Sequence, residues 1–528
     1  MPALRKTIAT VSAVKTFPAL LLILVNILIG LFIFEHYGFS YDEPLFYGYA
    51  DAIGYAYTPA NWFGEDFDLT LAYGPSPGDH GNRGPAYLLL ARFPAHLLQA
   101  MGLPQDAAWH LVNFLVFQIA LYYFFVICLR WMGRWAAFSA TAFMATQPIL
   151  WGHAFINPKD PPFLLLFLLS LELGFRMADR LAHPSPGTTK PQTLKHVLVP
   201  AIVLGLATNV RVLAPLAAVL VGIYFLLLGK NAKRIVWFIP YGMIAYAVVV
   251  ITWPYLWENP IGKFIEAVTF FSYNPTQLRV YFYGQYFRAN ALPLRYLPAT
   301  MLFTLTEPVF FLASLGGLTA LWRALKNNIQ WKTLLPTLGW FVVPFMYVLI
   351  KRPPMYDGFR HFLFIVPPIF ILAGIALDAL FKFLRTTWLR FAIIAALVLP
   401  GLIPIVKLHP YEYTYYNQFV GGTSQAAARF ETDYWLTCYK EAMQEFNRHF
   451  AHENPTLYVK REPYIARYYA DPRITVRDFV EEGHFIQDDD YRLLSARLNP
   501  GLQRYRDPAL WGIKVSRNNT IFCVIQKQ

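Results

Sequence analysis

Eleven apolar runs, separated by short charged or proline-rich segments, dominate this 528-residue chain. The first, Phe17 to Phe34, holds eighteen residues without a charge. At 1.5 Å rise per residue it covers about 27 Å, close to the hydrocarbon thickness of a bilayer. Further runs centre on 107–129, 135–151, 162–175, 196–210, 212–228, 235–253, 300–322, 334–350, 361–381 and 388–406. Such runs bury their backbone polar groups without water only as helices. The composition agrees: 56% of residues are hydrophobic and 15% charged, against about 25% charged in soluble domains. A disordered chain, a fibrous protein and a cytosolic enzyme are excluded.

The charges between the runs set a topology. Arg5, Lys6 and Lys15 precede the first run, and no small-residue cleavage site follows it, so an uncleaved anchor with its N-terminus inside is predicted. Alternating the spans puts Arg130 and Arg134, then Arg176, Arg180, Lys190 and Lys195, then Lys230, Lys233 and Arg234 on the inner side. Arg323, Lys326, Lys332, Lys382, Arg385 and Arg390 follow there. The first outer loop, 36–106, holds Asp42, Glu43, Asp51, Glu65, Asp66, Asp68 and Asp79 against the one base Arg83 in the part before Ala86. This is the positive-inside pattern, and it accounts for a net charge of +13 without nucleic acid. An odd number of spans places the C-terminus outside.

From Lys407 the charge rises and long apolar runs stop. Two regions are expected: a transmembrane domain over 1–406 and a small extracytoplasmic α/β domain over 407–528. Strand-like stretches are Thr456–Lys460, Ile474–Val476, Ile513–Ser516 and Thr520–Gln526, the last two joined by Arg517-Asn518-Asn519 as a hairpin. A helical pattern fits Ala426–Phe450. Cys438 and Cys523 can pair or stay free, while Cys128 sits inside an apolar run. The three form no metal spacing.

Candidate chemistry lies on the outer side, where the loops are long and polar. Asp42-Glu43 follows the first span, and adjacent carboxylates at a membrane boundary are costly unless solvated, paired or used. A solvated loop start explains the pair as well as a catalytic role does. Arg83 precedes Ala86–Met101, an expected interfacial helix. Arg83 is either a snorkelling cation or one suited to a lipid phosphate. Lys159-Asp160 sits in a tight turn between spans, where Asp followed by Pro also suits a plain helix start. Arg211 and Arg360-His361 are further outer-boundary cations. His153 is not assigned as a metal ligand. Together these acids and bases converge on one face, as a site for an anionic lipid head requires.

At these residues the sequence resembles the membrane-embedded GT-C glycosyltransferases that use polyprenyl-phosphate sugars. The similarity is to the family-39-like branch of protein O-mannosyltransferases and the aminoarabinose lipid A transferase. It is carried by Asp42-Glu43, Arg83-Gly84-Pro85, Asn157-Pro158-Lys159-Asp160, Trp253-Pro254-Tyr255-Leu256-Trp257, and Arg360-His361 with Pro367-Pro368. His409-Pro410-Tyr411, Tyr416-Asn417 and Gly421-Gly422 add to it, so most of 15–440 is covered. The resemblance implies a GT-C fold, Asp42 as catalytic base, Glu43 as the second acid of an Asp-Glu pair, and Arg83 at a phosphate-contacting position. Arg211 and Arg360 match outer cations more loosely. Asn-Pro-Lys-Asp stands where metal-dependent oligosaccharyltransferases have Asp-X-Asp, so no metal is assigned.

The implied donor is a polyprenyl-phosphate-linked sugar, and the acceptor a lipid, protein or glycan. A carboxylate that takes the acceptor's proton, with cations that stabilise the departing phosphate, suits direct displacement with inversion. Asp160 is expected to orient Lys159 or the acceptor, since retention would need a second carboxylate near Asp42. The competing reading is a polytopic transporter or flippase of lipid-linked substrates. It is disfavoured because the spans carry almost no charge near their centres.

Overall fold

The structure is a computed structural model that describes residues 2–273, 278–326, 331–384 and 386–528. Arg385 and the side chains of Arg5, Lys6 and Lys15 lie outside the described residues. All eleven apolar runs are helical. Among the described residues, nine helices are long and apolar enough to cross a membrane. The remaining two runs differ in form. Pro215–Leu228 is a shorter apolar helix. The run at 135–151 splits into Arg134–Ala145 and Pro148–Ile156, because Pro148 lacks the N–H needed to continue the first helix. The chain is an integral membrane protein.

Gln105–Cys128, Asp160–Ala182 and Arg360–Phe381 are the most buried of the nine. Thr16–His36, Ala232–Ile251 and Thr387–Leu408 show apolar side chains outward. Outward apolar surface on this scale needs lipid. Helices entering from one end of the bundle begin with proline in their first turn: Pro161-Pro162, Pro215 and Pro367-Pro368. Proline's fixed φ suits that position, where its missing N–H costs nothing. The segment between the first two spans is largely folded, with helices Glu43–Ala52 and Ala86–Ala100. Ala86–Ala100 buries Tyr87, Leu88, Ala91 and Ala95 and exposes Leu90, Phe93 and Leu97, the amphipathic form expected of an interfacial helix.

A hairpin, β1 (Arg279–Phe282) and β2 (Gln285–Arg288), was not legible in the pattern. Beyond Leu408 lies a five-stranded sheet made of β3 (Thr456–Val459), β4 (Thr475–Asp478), β5 (Tyr491–Ser495), β6 (Ile513–Arg517) and β7 (Thr520–Lys527), in the order β4-β3-β5-β7-β6. β3 pairs in parallel with β4 and β5, whereas β7 is antiparallel to β5 and β6. Asn518 and Asn519 have φ of 46° and 56°, the left-handed pair a two-residue hairpin needs. Helix Tyr439–Phe450 packs Ala442, Met443 and Phe446 into the core.

The helix expected over Ala426–Phe450 is shorter than that. Residues 427–438 leave helical geometry, and Asp433 accepts from the backbone N–H groups of Thr437 and Cys438. Such side-chain acceptors compete with helix formation. Phe430 also bridges to Phe282 of β1. Cys438 and Cys523 form a disulfide that ties the start of helix 439–450 to β7.

Candidate active site

Five chain segments meet at the bundle end that carries Asp42. Asp42 precedes helix Glu43–Ala52 without capping it by its side chain. The carboxylate instead faces Arg360, with Oδ2 3.4 Å from Nη2. Arg360 opens the turn into Pro367–Phe381 and reaches Asp160 at 3.6 Å and Asp357 at 3.2 Å. Its guanidinium lies near the rings of Tyr356 and Trp435. Asp160 also pairs with Arg211, at the end of helix Lys190–Val210. Asn157 fixes Asp160 by donating to Oδ2 at 2.9 Å and accepting from the Asp160 N–H.

Arg83 arrives from the segment before the interfacial helix. Asp79 grips it through two hydrogen bonds of 2.6 and 2.8 Å. Gly84 permits this approach: a Cβ there would collide with the Asn209 carbonyl. The Asn209 side chain accepts from the Ala86 N–H at 2.8 Å. Arg83 and Arg211 are thereby brought to one cavity.

Lys159 is buried, and its Nζ has no hydrogen-bond partner among the described residues. It sits 5.5 Å from the Phe46 ring and 5.2 Å from the Phe271 ring. Burial, with Arg83 and Arg211 nearby, pushes its pKa well below the usual lysine range. Lys159 and Asp160 therefore do not make the local pair their adjacency suggested. Asp160 is taken by two guanidiniums, which leaves the amine facing the cavity.

Burial raises the Asp42 pKa above the usual carboxylate value, although Arg360 and Arg83 oppose it. For Asp79 burial also acts upward, but the Arg83 guanidinium prevails and the net shift is downward. Burial lowers His80 to about 4, which keeps it neutral.

Asp42, Arg83, Lys159, Arg211, Arg360 and His361 line a small polar cavity of about 40 Å³. Seven of the eight expected site residues thus come together, Asp160 through its partners Arg211 and Arg360. Glu43 does not join them. It turns into the core, accepts from the Ser40 N–H at 2.6 Å and from the Tyr47 hydroxyl at 2.5 Å, and lies 3.0 Å from His110. Adjacent residues at a helix start point in different directions, so one faces the cavity and the other the protein.

The reading missed Asp79, Tyr356 and Asp357. The i,i+4 spacing of Asp79 to Arg83 and the Asp357-Gly358 turn before Arg360 were the available signals. Asp357 has φ of 56°, a conformation that Asp tolerates.

Arg83, Arg211, Tyr356 and His361 also line a second space of about 400 Å³. Its other walls are mostly apolar, with Val212, Leu213, Val268, Phe271 and Phe362 among them. A polar cavity rich in cations thus adjoins an apolar groove. Among the described residues, the one three-member grouping of possible metal ligands is Asp433, Cys438 and Cys523, and its cysteines are joined in the disulfide.

No family model and no curated protein sequence matches the chain. Solved structures do. ArnT from Cupriavidus metallidurans in the apo state aligns with a TM-score of 0.50 at 14% identity, over 98% of each chain. An oligosaccharyltransferase from Archaeoglobus fulgidus, tethered to an acceptor peptide with an NVT sequon, aligns with a TM-score of 0.54 at 12% identity. That alignment covers 95% of this chain and 71% of the other. Over nearly its whole length, the chain has the fold of the membrane-embedded GT-C glycosyltransferases.

Proposed function

We propose that the protein is a glycosyltransferase that moves a sugar from a polyprenyl-phosphate donor to an acceptor hydroxyl on the extracytoplasmic face. The observation that carries this reading is the shared wall of the two cavities. Arg83, Arg211, Tyr356 and His361 face both a polar pocket with a carboxylate and an apolar groove. A phosphate with a long hydrocarbon tail matches both halves. The unpartnered Lys159 amine adds a buried donor without an anion.

In this reading Asp42 takes the acceptor's proton as its oxygen attacks the anomeric carbon. The bond from that carbon to the phosphate oxygen breaks, and inversion follows from one displacement. Charge gathers on the departing phosphate, where Arg83, Lys159, Arg211 and Arg360 offer preorganised donors. Asp160 orients Arg211 and Arg360, and Glu43 holds the turn that presents Asp42. The residues around Asp42 do not suit a divalent ion, because both carboxylates that line the cavity, Asp42 and Asp79, already face guanidiniums, as does Asp160 beside it. The region 407–528 is read as the extracytoplasmic domain that closes over the site.

Mass analysis of envelope lipids, proteins and glycans, with and without the gene, tests the reading. Loss of one sugar mass from one acceptor class, restored by the wild type and not by Asp42→Asn, is expected. Unchanged glycans, or full restoration by Asp42→Asn, would overturn it.

A further inference from the structure

Three carboxylates compete for Arg360: Asp42 at 3.4 Å, Asp160 at 3.6 Å and Asp357 at 3.2 Å. Asp160 has a second guanidinium in Arg211. Asp357 has one too, and it comes from 140 residues further along the chain. Arg497, two residues past β5, places Nη2 3.3 Å from Asp357 Oδ1 and is itself buried. Its other arm donates to the Tyr434 carbonyl.

The same region holds the residue before Asp42. Arg497 lies 4.5 Å over the Tyr41 ring. The Tyr41 hydroxyl donates to Asp357 at 2.9 Å, its N–H to the Trp435 carbonyl at 3.2 Å, and its carbonyl accepts from Tyr464 at 2.6 Å. Trp435 also donates to Asp357, at 3.1 Å.

We infer that Arg497 is a positioning residue for the reaction site: by sharing the charge of Asp357, which also pairs with Arg360, it leaves Arg360 able to hold Asp42 at the same time. This rests on the reading of Asp42 as the base, and its geometry stands apart from that reading. A buried carboxylate left with one cation draws it strongly. Without Arg497, Asp357 takes Arg360, and Asp42 loses its nearest positive charge while an uncompensated negative charge appears close by.

Other titratable groups also face Asp42. They are Asp79, His80 and Arg83 from the segment before the interfacial helix, Lys159, Arg211, and Tyr356 with His361 from the segment around Arg360. Tyr464 faces it from the sheet region. Of these, Tyr464 alone also feels the Arg497 charge.

The test is carbodiimide labelling of the full-length protein across pH, with peptide mapping of Asp42. Its side chain is 23% exposed, against 2% for Asp160 and 1% for Asp357, so labelling reports Asp42 selectively. The half-labelling pH of Asp42 should rise by about one unit in Arg497→Gln. It should stay at the wild-type value in Arg497→Lys, return there in Asp357→Asn/Arg497→Gln, and fall below it in Asp357→Asn. A purely structural role for Arg497 would not be rescued by removing a second charge. An unmoved half-labelling pH in Arg497→Gln, or a double variant that stays raised, overturns the inference. If Arg497→Gln does not fold, an Asp357→Asn value equal to wild type overturns it. Labelling needs no donor, so failure of sugar transfer and failure of this relay are read separately.

Discussion

The Asp42 carboxylate faces the Arg360 guanidinium across 3.4 Å, with Arg360 itself held from behind by Asp357. A base paired in this way keeps a fixed direction toward the cavity. Replacement of Asp42 by Asn keeps the shape and removes the proposed proton acceptor. Sugar transfer should fall by about 10²–10⁴-fold, while affinity for a long-chain polyprenyl phosphate stays near wild type. Transfer rates and lipid binding on the same preparation check this.

The pH profile follows from two opposed shifts. Asp42 must be ionised to act as base, and burial raises its pKa, so the rising limb of kcat/KM should lie above the ordinary carboxylate range. Lys159 must be protonated to hold phosphate, and its pKa is lowered, so the falling limb should come below the ordinary lysine range. The result is a narrow bell. Lys159→Met should remove the falling limb and weaken carrier binding by about tenfold or more. A rate series across pH for both proteins measures it.

Asp160 is a structural test of the same cluster. It is buried between Arg211 and Arg360. Asp160→Ala leaves the buried Arg211 guanidinium without its carboxylate and should cost about 3–5 kcal/mol of stability. Thermal unfolding in detergent would show it.

The groove has its own signature. Val268→Asp puts a charge on its apolar wall, with the polar cavity untouched. Affinity for a long-chain polyprenyl phosphate should drop by about tenfold or more, while a short-chain prenyl phosphate loses less. Competition binding with the two lipids separates these outcomes.

Much of this site was legible because membrane boundaries restrict where charges can sit. Lys159, Asp160, Arg211 and Arg360 lie at the edges of apolar runs, and only a boundary position tolerates them, so their common level follows from the runs alone, whereas Arg83 sits in the long first outer loop and its level does not. What the runs cannot show is pairing. Lys159-Asp160 reads as a local pair, yet Asp160 finds Arg211 fifty-one residues away. Glu43 reads as the twin of Asp42, yet its direction depends on Tyr47 and His110. β5 was missed because Asp488, Asp489 and Asp490 precede it and mask its short alternation. Arg497, just beyond, carried no local signal at all, since its partner Asp357 belongs to another region of the chain.

The most direct measurement is a structure of the protein with a long-chain polyprenyl phosphate bound. The account predicts the phosphate within hydrogen-bond distance of Arg83, Lys159 and Arg211, with the first isoprene units against Val212, Leu213, Val268 and Phe271. A phosphate bound away from these cations, or a tail outside that groove, would contradict it.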